Sequence, residues 1–398
     1  MLLINHQIQR AISALLELPT KQIINNAVVP YNRATAYKPI LMNKHNSILC
    51  LTTSLLLFTA ACSQNQPVNT AAIKPLYVTE PLQFDSDDPA IWVNPADSSK
   101  SLIIGTDKDE NGGLYVFDLQ GKIIKEKTVQ GLKRPNNVDV AYGLNLGGKK
   151  VDIAVATERM THKLRVFSLP DMKPIDNGGL PMFEGETGEL YRDLMGIAMY
   201  TDSQGQIYAI VGRKSGPKEG EYLWQYLLED NGKGQLKATL KRKFGKYSGK
   251  KEIESIAVDN ELGYIYYSDE QFGVRKYYAD PAKGNQELAL FATTGFKEDN
   301  EGISIYKTTD STGYILVSDQ AANHFQVFNR EGTKQDPNKH VLITSIPTST
   351  NNSDGSDIYS KALNNDFKHG IFVAMSDNKT FQLYRWEDLA GKKLQVNK

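Results

Sequence analysis

Acidic side chains recur in this sequence at intervals of about fifty residues, each beside a short apolar segment. The carboxylates in the first set are Asp87, Asp88, Asp139, Asp193, Glu254, Asp299, Glu301 and Asp354. A second set, at the end of another apolar segment, comprises Asp107, Glu158, Glu270, Asp319 and Asp377. Neighbouring carboxylates repel one another unless cations compensate them, and calcium prefers such hard oxygen ligands. Because Asp also favours strand ends and turns, it is the recurrence that favours a metal site.

Basic residues occupy the same loop in the first three of these units, namely Lys108, Arg159, and Arg213 with Lys214. Cations beside metal-binding carboxylates suit a polyanion that bridges metal and protein, and phosphate is the commonest such ligand. Ordinary surface ion pairing with the neighbouring acids is the alternative reading of the same residues. Composition alone leaves both readings open.

The stretch TDKDENGG at residues 106–113 matches the opening of an EF-hand calcium loop. An EF-hand loop lies between two helices, whereas this stretch lies between SLIIG and LYVFD, which are typical of strands. The sequence therefore predicts a hairpin turn, in which Asp109 and Asn111 form the turn.

Six units of similar composition carry these residues. Each joins an apolar strand, a polar loop and an aromatic-rich strand, and the units start at Leu102, Val151, Ile207, Tyr264, Tyr314 and Gly370. A second short strand precedes each unit, and the intervening segments supply a fourth strand. Four-stranded units repeated radially are the signature of a β-propeller. The sequence predicts an all-β fold, a six-bladed β-propeller, whose inner-strand loops gather the carboxylates at one rim.

The N-terminal part is predicted to lie outside this fold. Residues 42–61 combine a basic start, an apolar stretch and small residues before Cys62, which is typical of a lipoprotein signal peptide. We expect residues 1–41 to be a mis-assigned upstream extension, residues 62–75 a flexible linker, and residues 76–398 the propeller. The expected location is exported, either membrane-anchored through an acylated Cys62 or secreted.

Composition excludes several classes of function. Five of the 46 basic and one of the 46 acidic residues precede Cys62, which leaves 41 basic against 45 acidic residues and a net charge of −4. This balance disfavours nucleic-acid binding. Both cysteines lie at or before Cys62, and no histidine belongs to an Arg-His-Gly sequence. Among the ways to hydrolyse a phosphate ester, metal-activated water remains.

The segments DSDDPAIWVNP and NNVDVAYG resemble the paired signature segments of the β-propeller phytases, which are alkaline, calcium-dependent enzymes that dephosphorylate inositol hexakisphosphate (phytate). GTDKDENGGLYVFDLQGK, VDIAVATER, DNEGISIY and WEDLAGKK extend the resemblance from about Tyr77 to the C-terminus. At one position where the family often has a tyrosine that contacts phosphate, this sequence has Met195.

The resemblance implies a role for each matching residue. Those implied to hold calcium ions or the water between them are Asp87, Glu254, Glu270, Asp299, Glu301 and Gln320, with Asp88 at a stabilising calcium. Glu254 and Glu270 would hold the nucleophilic water through metal, and Lys108, Arg159 and Lys214 would contact substrate phosphates. The resemblance also implies several bound Ca²⁺ ions and a substrate bound as its calcium complex.

We therefore expect a monomeric, calcium-dependent 3-phytase, a phosphomonoester hydrolase that uses metal-activated water. One alternative is a calcium-dependent six-bladed lactonase, which needs a carboxylate ring but not three phosphate-facing cations. The other alternative is a surface-anchored binding propeller without turnover.

Overall fold

The computed structural model describes residues 71–397. Its regular structure is 25 β-strands, a few single-turn 3-10 helices and one short helix, α1 (Trp386–Ala390). No helix among the described residues is long and apolar enough to cross a membrane. The predicted upstream extension, the signal peptide and residues 62–70 of the predicted linker lie outside the described residues. Within the rest of that linker, Ile73 forms an isolated parallel bridge with Thr348.

Six antiparallel sheets follow one another along the chain, and we number them as blades 1 to 6. Blade 1 contains β2 (Ser86–Trp92), β3 (Leu102–Asp107), β4 (Gly112–Phe117) and β5 (Val129–Leu132). Blade 2 contains β6 (Pro135–Leu146), β7 (Lys149–Glu158), β8 (Lys163–Leu169) and β10 (Leu180–Pro181), with β9 (Lys173–Pro174) also paired to β8. Blade 3 contains β11 (Leu194–Thr201), β12 (Ile207–Arg213), β13 (Leu223–Asp230) and β14 (Leu236–Phe244).

The second half of the chain repeats this arrangement. Blade 4 contains β15 (Ile256–Asp259), β16 (Tyr264–Asp269), β17 (Gly273–Tyr278) and β18 (Ala289–Phe291). Blade 5 contains β19 (Asn300–Lys307), β20 (Gly313–Asp319), β21 (His324–Asn329) and β22 (Leu342–Pro347). Blade 6 contains β23 (Ser356–Tyr359), β24 (Ile371–Ser376), β25 (Thr380–Arg385) and β1 (Tyr77–Val78).

The first strand of the described chain completes the last blade. Tyr77 of β1 pairs with Leu383 of β25, so the outer strand of blade 6 comes from the N-terminal side of blade 1. The Tyr77 hydroxyl donates to Asp366 Oδ2 at 3.0 Å, and its ring packs edge-on against Phe367. The two ends of the propeller are thereby joined within one sheet.

Apolar side chains form six core clusters within the described residues, and each cluster is shared by two neighbouring blades. The cluster between blades 5 and 6, for example, stacks Tyr306 on Trp386 of α1 with ring centroids 3.7 Å apart. Another cluster joins Ile103 of blade 1 to Val373 of blade 6 and so closes the ring. The prediction of an all-β, six-bladed propeller is confirmed.

The innermost strand of most blades begins with a two-residue break in the pairing register. The breaks lie between Ser86 and Pro89, Pro135 and Val138, Leu194 and Ile197, and Asn300 and Ile303. The two residues inside each break are excluded from the ladder. Their side chains can therefore line the end of the central channel.

Candidate active site

The first residue of each break, together with its counterparts before β15 and β23, defines a set that we call the step ring. Its members are Asp87, Asn136, Met195, Glu254, Glu301 and Asp354. Side chains from blades 1, 2 and 4 meet here, because Asn136 Nδ2 donates to Asp87 Oδ2 at 3.2 Å and also to Glu254 Oε1. The step ring thus converges at the mouth of the channel.

The residue that follows the second strand of each blade defines a second set, the hairpin ring. Its members are Lys108, Arg159, Lys214, Glu270, Gln320 and Asp377. Blades 1 to 3 contribute cations, whereas blades 4 to 6 contribute carboxylates and an amide. The site therefore has a basic half that faces an acidic half, and this separation suits an anion held against a metal.

A third position lies two residues before the step ring and is bonded to the hairpin ring. The backbone N–H groups of Lys108 and Glu270 donate to the carbonyls of Asp85 and Glu252, at 2.8 and 3.2 Å. Arg159, Lys214 and Gln320 make the same bond to Arg134, Asp193 and Asp299. Five blades therefore hold three site positions in one repeated geometry.

The structure changes the positions of Asp193 and Glu270 within the two sets of acidic residues that the sequence suggested. Asp193 corresponds to Asp85 and Glu252, two residues before the step ring, and Met195 takes the place of Asp87. Asp269 is the blade 4 counterpart of Asp107, so Glu270 belongs with Lys108. Asp107 and Asp319 accept hydrogen bonds from nearby backbone N–H groups, those of Asp85 and Lys297, which gives these two carboxylates a structural role.

Two groups of carboxylates lie on the acidic half, and in each group the oxygens are within 4.8 Å of one another. Blade 4 supplies the first, formed by Glu252, Glu254 and Glu270. Blade 5 adds Asp299 and Glu301, which form the second group with the same Glu270. The structure therefore brings together four of the predicted metal ligands. Glu252 was missed, although the recurring acid-x-acid pattern in DSD, EIE and DNE could have indicated it.

Among the described lysines and arginines, only Lys251 pairs with the carboxylates of the second group. Burial raises the pKa of Glu270 to about 8, with the Glu254 charge adding to the effect, and burial likewise raises that of Glu301 to about 8. Neither Glu270 oxygen accepts a well-formed hydrogen bond in the described part of the chain, and neither does Glu301 Oε2. Buried carboxylate oxygens that accept no hydrogen bond are costly, and carboxylate oxygens are the ligands that calcium prefers. The residues present thus fit calcium.

Glu254 behaves differently from these two carboxylates. Burial acts to raise its pKa, but the Lys108 and Arg159 charges outweigh burial and hold the pKa below its usual value. Lys108 Nζ lies 3.9 Å from Glu254 Oε1 and 3.8 Å from Asp354 Oδ2, and it also contacts Asp87. Lys108 comes from blade 1 and Glu254 from the opposite blade, so this ion pair spans the channel mouth.

The three predicted phosphate contacts all lie at this rim. Arg159 donates to Asn136 Oδ1 and contacts the Met195 sulfur, and Lys214 pairs with Glu252. Arg213, beside Lys214, is instead fully buried and donates to Tyr222 O at 3.0 Å. The stretch TDKDENGG forms the hairpin between β3 and β4, and Asp109 Oδ1 accepts from Asn111 N–H at 2.9 Å.

The remaining predicted ligands, Asp87, Asp88 and Gln320, belong to neither carboxylate group. Asp87 contacts Lys108 and Asn136, and Gln320 donates to Asp354 Oδ1. Asp88 accepts from Val138 N–H at 3.1 Å and lines a channel cavity of about 490 Å³. Asp88 is thus separated from Glu270 and faces the channel interior.

Comparison with known proteins identifies the family of this chain. The family model described as Phytase matches residues 38–391. The chain therefore belongs to the phytase family. It is also 30% identical over 328 residues to a 3-phytase of Bacillus subtilis (strain 168), a match that covers 77% of this chain and 80% of that protein.

In this member of the phytase family, the basic half of the site is tied to the acidic half by direct contacts. Met195 is fully buried, and its sulfur contacts Arg159. Asn136 links Arg159 to Asp87 and Glu254, so one amide connects three charged groups.

Proposed function

We propose that the protein hydrolyses phytate in a calcium-dependent reaction and releases inorganic phosphate. The observation that carries this proposal is the pair of carboxylate groups that share Glu270, opposite three cations on the same rim. Membership of the phytase family supports the substrate, and the similarity to a 3-phytase supports the 3-phosphate as the first position attacked.

The basic half would bind and orient the substrate. Lys108, Arg159 and Lys214 each contact an acidic or amide oxygen of the site, and phosphate oxygens would replace those partners. Their positive charges would also offset the charge that develops on the phosphoryl oxygens. A substrate with adjacent phosphates can span this half and reach the carboxylates, which favours phytate over a simple monoester.

The acidic half would hold the metal. Glu252, Glu254 and Glu270 fit one ion, and Glu270, Asp299 and Glu301 fit a second. When bound there, calcium would lower the pKa of a water molecule and neutralise substrate phosphates. Glu254 and Glu270 would fix the position of the attacking oxygen. We propose that phytate binds as its calcium complex, because its phosphates would then contact the basic half of the site and its calcium ions the acidic half.

The test is phosphate release from phytate by the purified protein, with calcium and with excess chelator. We expect release that requires calcium and falls at least about 100-fold in Glu270→Gln, since removal of one organising charged group costs this much in comparable sites. Glu298→Gln is the matched control, because Glu298 is an exposed carboxylate beside Asp299 and belongs to neither carboxylate group. Full activity in chelator would overturn the calcium requirement, and an active Glu270→Gln would overturn the metal site.

Export as a lipoprotein and a monomeric state are further proposals. Mass spectrometry of the protein from its native host should find an acylated Cys62 at the N-terminus. An N-terminus upstream of Cys62 would contradict this proposal. Light scattering should give the mass of one chain.

A further inference from the structure

Lys251 lies within the second carboxylate group. Its ammonium nitrogen is 2.6 Å from Asp299 Oδ2, 2.9 Å from Glu270 Oε2 and 3.2 Å from Glu301 Oε1. These are the three residues that fit the second metal ion. No other described lysine or arginine forms an ion pair with any of the three.

A calcium ion coordinated by the same oxygens would need the space that this ammonium fills. Calcium binds carboxylate oxygens at about 2.3–2.6 Å, so a cation shared by these three side chains would lie almost where the Lys251 nitrogen lies. Two positive charges cannot occupy that position together. Binding of one cation by Glu270, Asp299 and Glu301 therefore excludes the other.

The Lys251 side chain is placed so that its ammonium group can move away from the three carboxylates. It belongs to the segment 245–255, which joins β14 to β15 without helix or strand. Its side chain is 35% exposed, whereas those of Glu270, Asp299 and Glu301 are between 1% and 10% exposed. A lysine stem can rotate its ammonium into water at little cost, while the carboxylates are fixed by the blades.

We propose that Lys251 is an exchangeable internal cation that competes with calcium for the group formed by Glu270, Asp299 and Glu301. This inference rests on the proposed calcium requirement and adds a residue that sets the calcium affinity of the site. One ammonium balances only part of the negative charge that the three carboxylates carry when they are ionised, so a divalent ion displaces it once calcium is abundant. The protein would then keep its acidic half compensated at low calcium.

Lys251→Met tests the inference, since methionine keeps the stem and removes the charge. At constant pH, isothermal titration with calcium alone should show at least one site that binds about tenfold more tightly than in the unaltered protein, a typical size for coupling between two ligands. Melting in chelator should occur several degrees lower in the variant, and added calcium should close this gap. Lys251→Arg should behave like the unaltered protein.

Lys250→Met is the matched control, because it removes the same charge from the neighbouring residue. The Lys250 ammonium donates to Gln271 O at 2.9 Å and does not reach the carboxylates. Calcium binding by this variant should be unchanged. Equal or weaker calcium binding in Lys251→Met, or a melting deficit that persists in calcium, would show a purely structural ion pair and overturn the inference. Absence of calcium binding in every protein would overturn the proposed calcium requirement as well.

Discussion

At the scale of single residues, the site is defined by carboxylates that the fold forces together. Glu270 and Glu301 have a pKa of about 8 in the folded protein, because burial and neighbouring acids disfavour their charge. In the unfolded chain they ionise near pH 4.5. Their raised pKa therefore costs calcium-free stability as the pH rises from about 5 to about 8, and the full cost is present above pH 8.

The same shift predicts that calcium binding is coupled to proton release. Calcium requires the charged form of both carboxylates, so its affinity should increase between about pH 6 and pH 8 and then level off. Near pH 6, binding should release between about one and two protons, and Glu301→Gln should reduce this number. Titration calorimetry in two buffers of different ionisation enthalpy measures the release. Heats that do not depend on the buffer would contradict the prediction.

Asn136 is the residue that connects the two halves of the site. Its amide contacts Asp87, Glu254 and Arg159, and it is fully buried. Asn136→Ala should lower the free energy of unfolding by about 1–3 kcal/mol, because charged groups lose a buried partner.

Urea unfolding in chelator measures this loss, with Met195→Leu as the control. Met195 gives Arg159 only a thioether contact, so its replacement should cost much less. Equal losses in the two variants would show that the Asn136 hydrogen bonds contribute little.

At the scale of the elements, the glycine that follows the step-ring residue in blades 3 and 5 lets neighbouring blades approach each other closely. A Cβ atom on Gly196 would lie 1.8 Å from Glu254 O, and one on Gly302 would lie 2.4 Å from Asp354 O. Each contact involves the backbone of a step-ring residue in the next blade. These glycines are therefore required for the spacing of the acidic residues at the rim.

A graded series of alanine substitutions tests this requirement. Gly196→Ala should destabilise the protein by about 1–3 kcal/mol through overpacking and should displace Glu254, so phosphate release should fall. Gly302→Ala should have the next largest effect on stability and on phosphate release. Gly212→Ala should have the smallest effect, because its Cβ would lie 3.1 Å from Ile253 O. Activity and urea unfolding measure the series, and a Gly212→Ala as damaging as Gly196→Ala would contradict it.

The strands could be predicted from the sequence, whereas the breaks in their pairing could not. The apolar repeats predicted the strands, since alternation and aromatic content reflect packing between blades. The two-residue break at the start of most inner strands leaves no such pattern, because its residues are unpaired. Asp193 was therefore placed in the same set as Asp87, and Glu252 was missed as a candidate metal ligand. The cations Lys108, Arg159 and Lys214 could be selected as candidates because they follow strands that the pattern does identify.

At the scale of the whole molecule, closure of the ring depends on the N-terminal strand. The sequence predicted six units but not that β1 would complete blade 6, since a pairing between residues three hundred positions apart has no local signal. Lys108 of blade 1 lies 3.8 Å from Asp354 of blade 6, and Gly355 N–H donates to Asp87 O at 3.2 Å. The closing seam therefore passes through the site.

Removal of β1 should weaken both stability and activity. A chain that begins at Thr79 loses the backbone hydrogen bond from Leu76 N–H to Leu383 O and the pairing of Tyr77 with Leu383, together with the Tyr77 contacts to Asp366 and Phe367. At about 1 kcal/mol for each lost hydrogen bond, the melting temperature should fall by about 5 °C or more. A chain that begins at Ala71 is the reference for this comparison, because it keeps β1 and every described residue before it. Because the seam joins Asp87 to Gly355, the shorter chain should also need more calcium for half-maximal phosphate release, and an unchanged calcium requirement would show that the site is independent of ring closure.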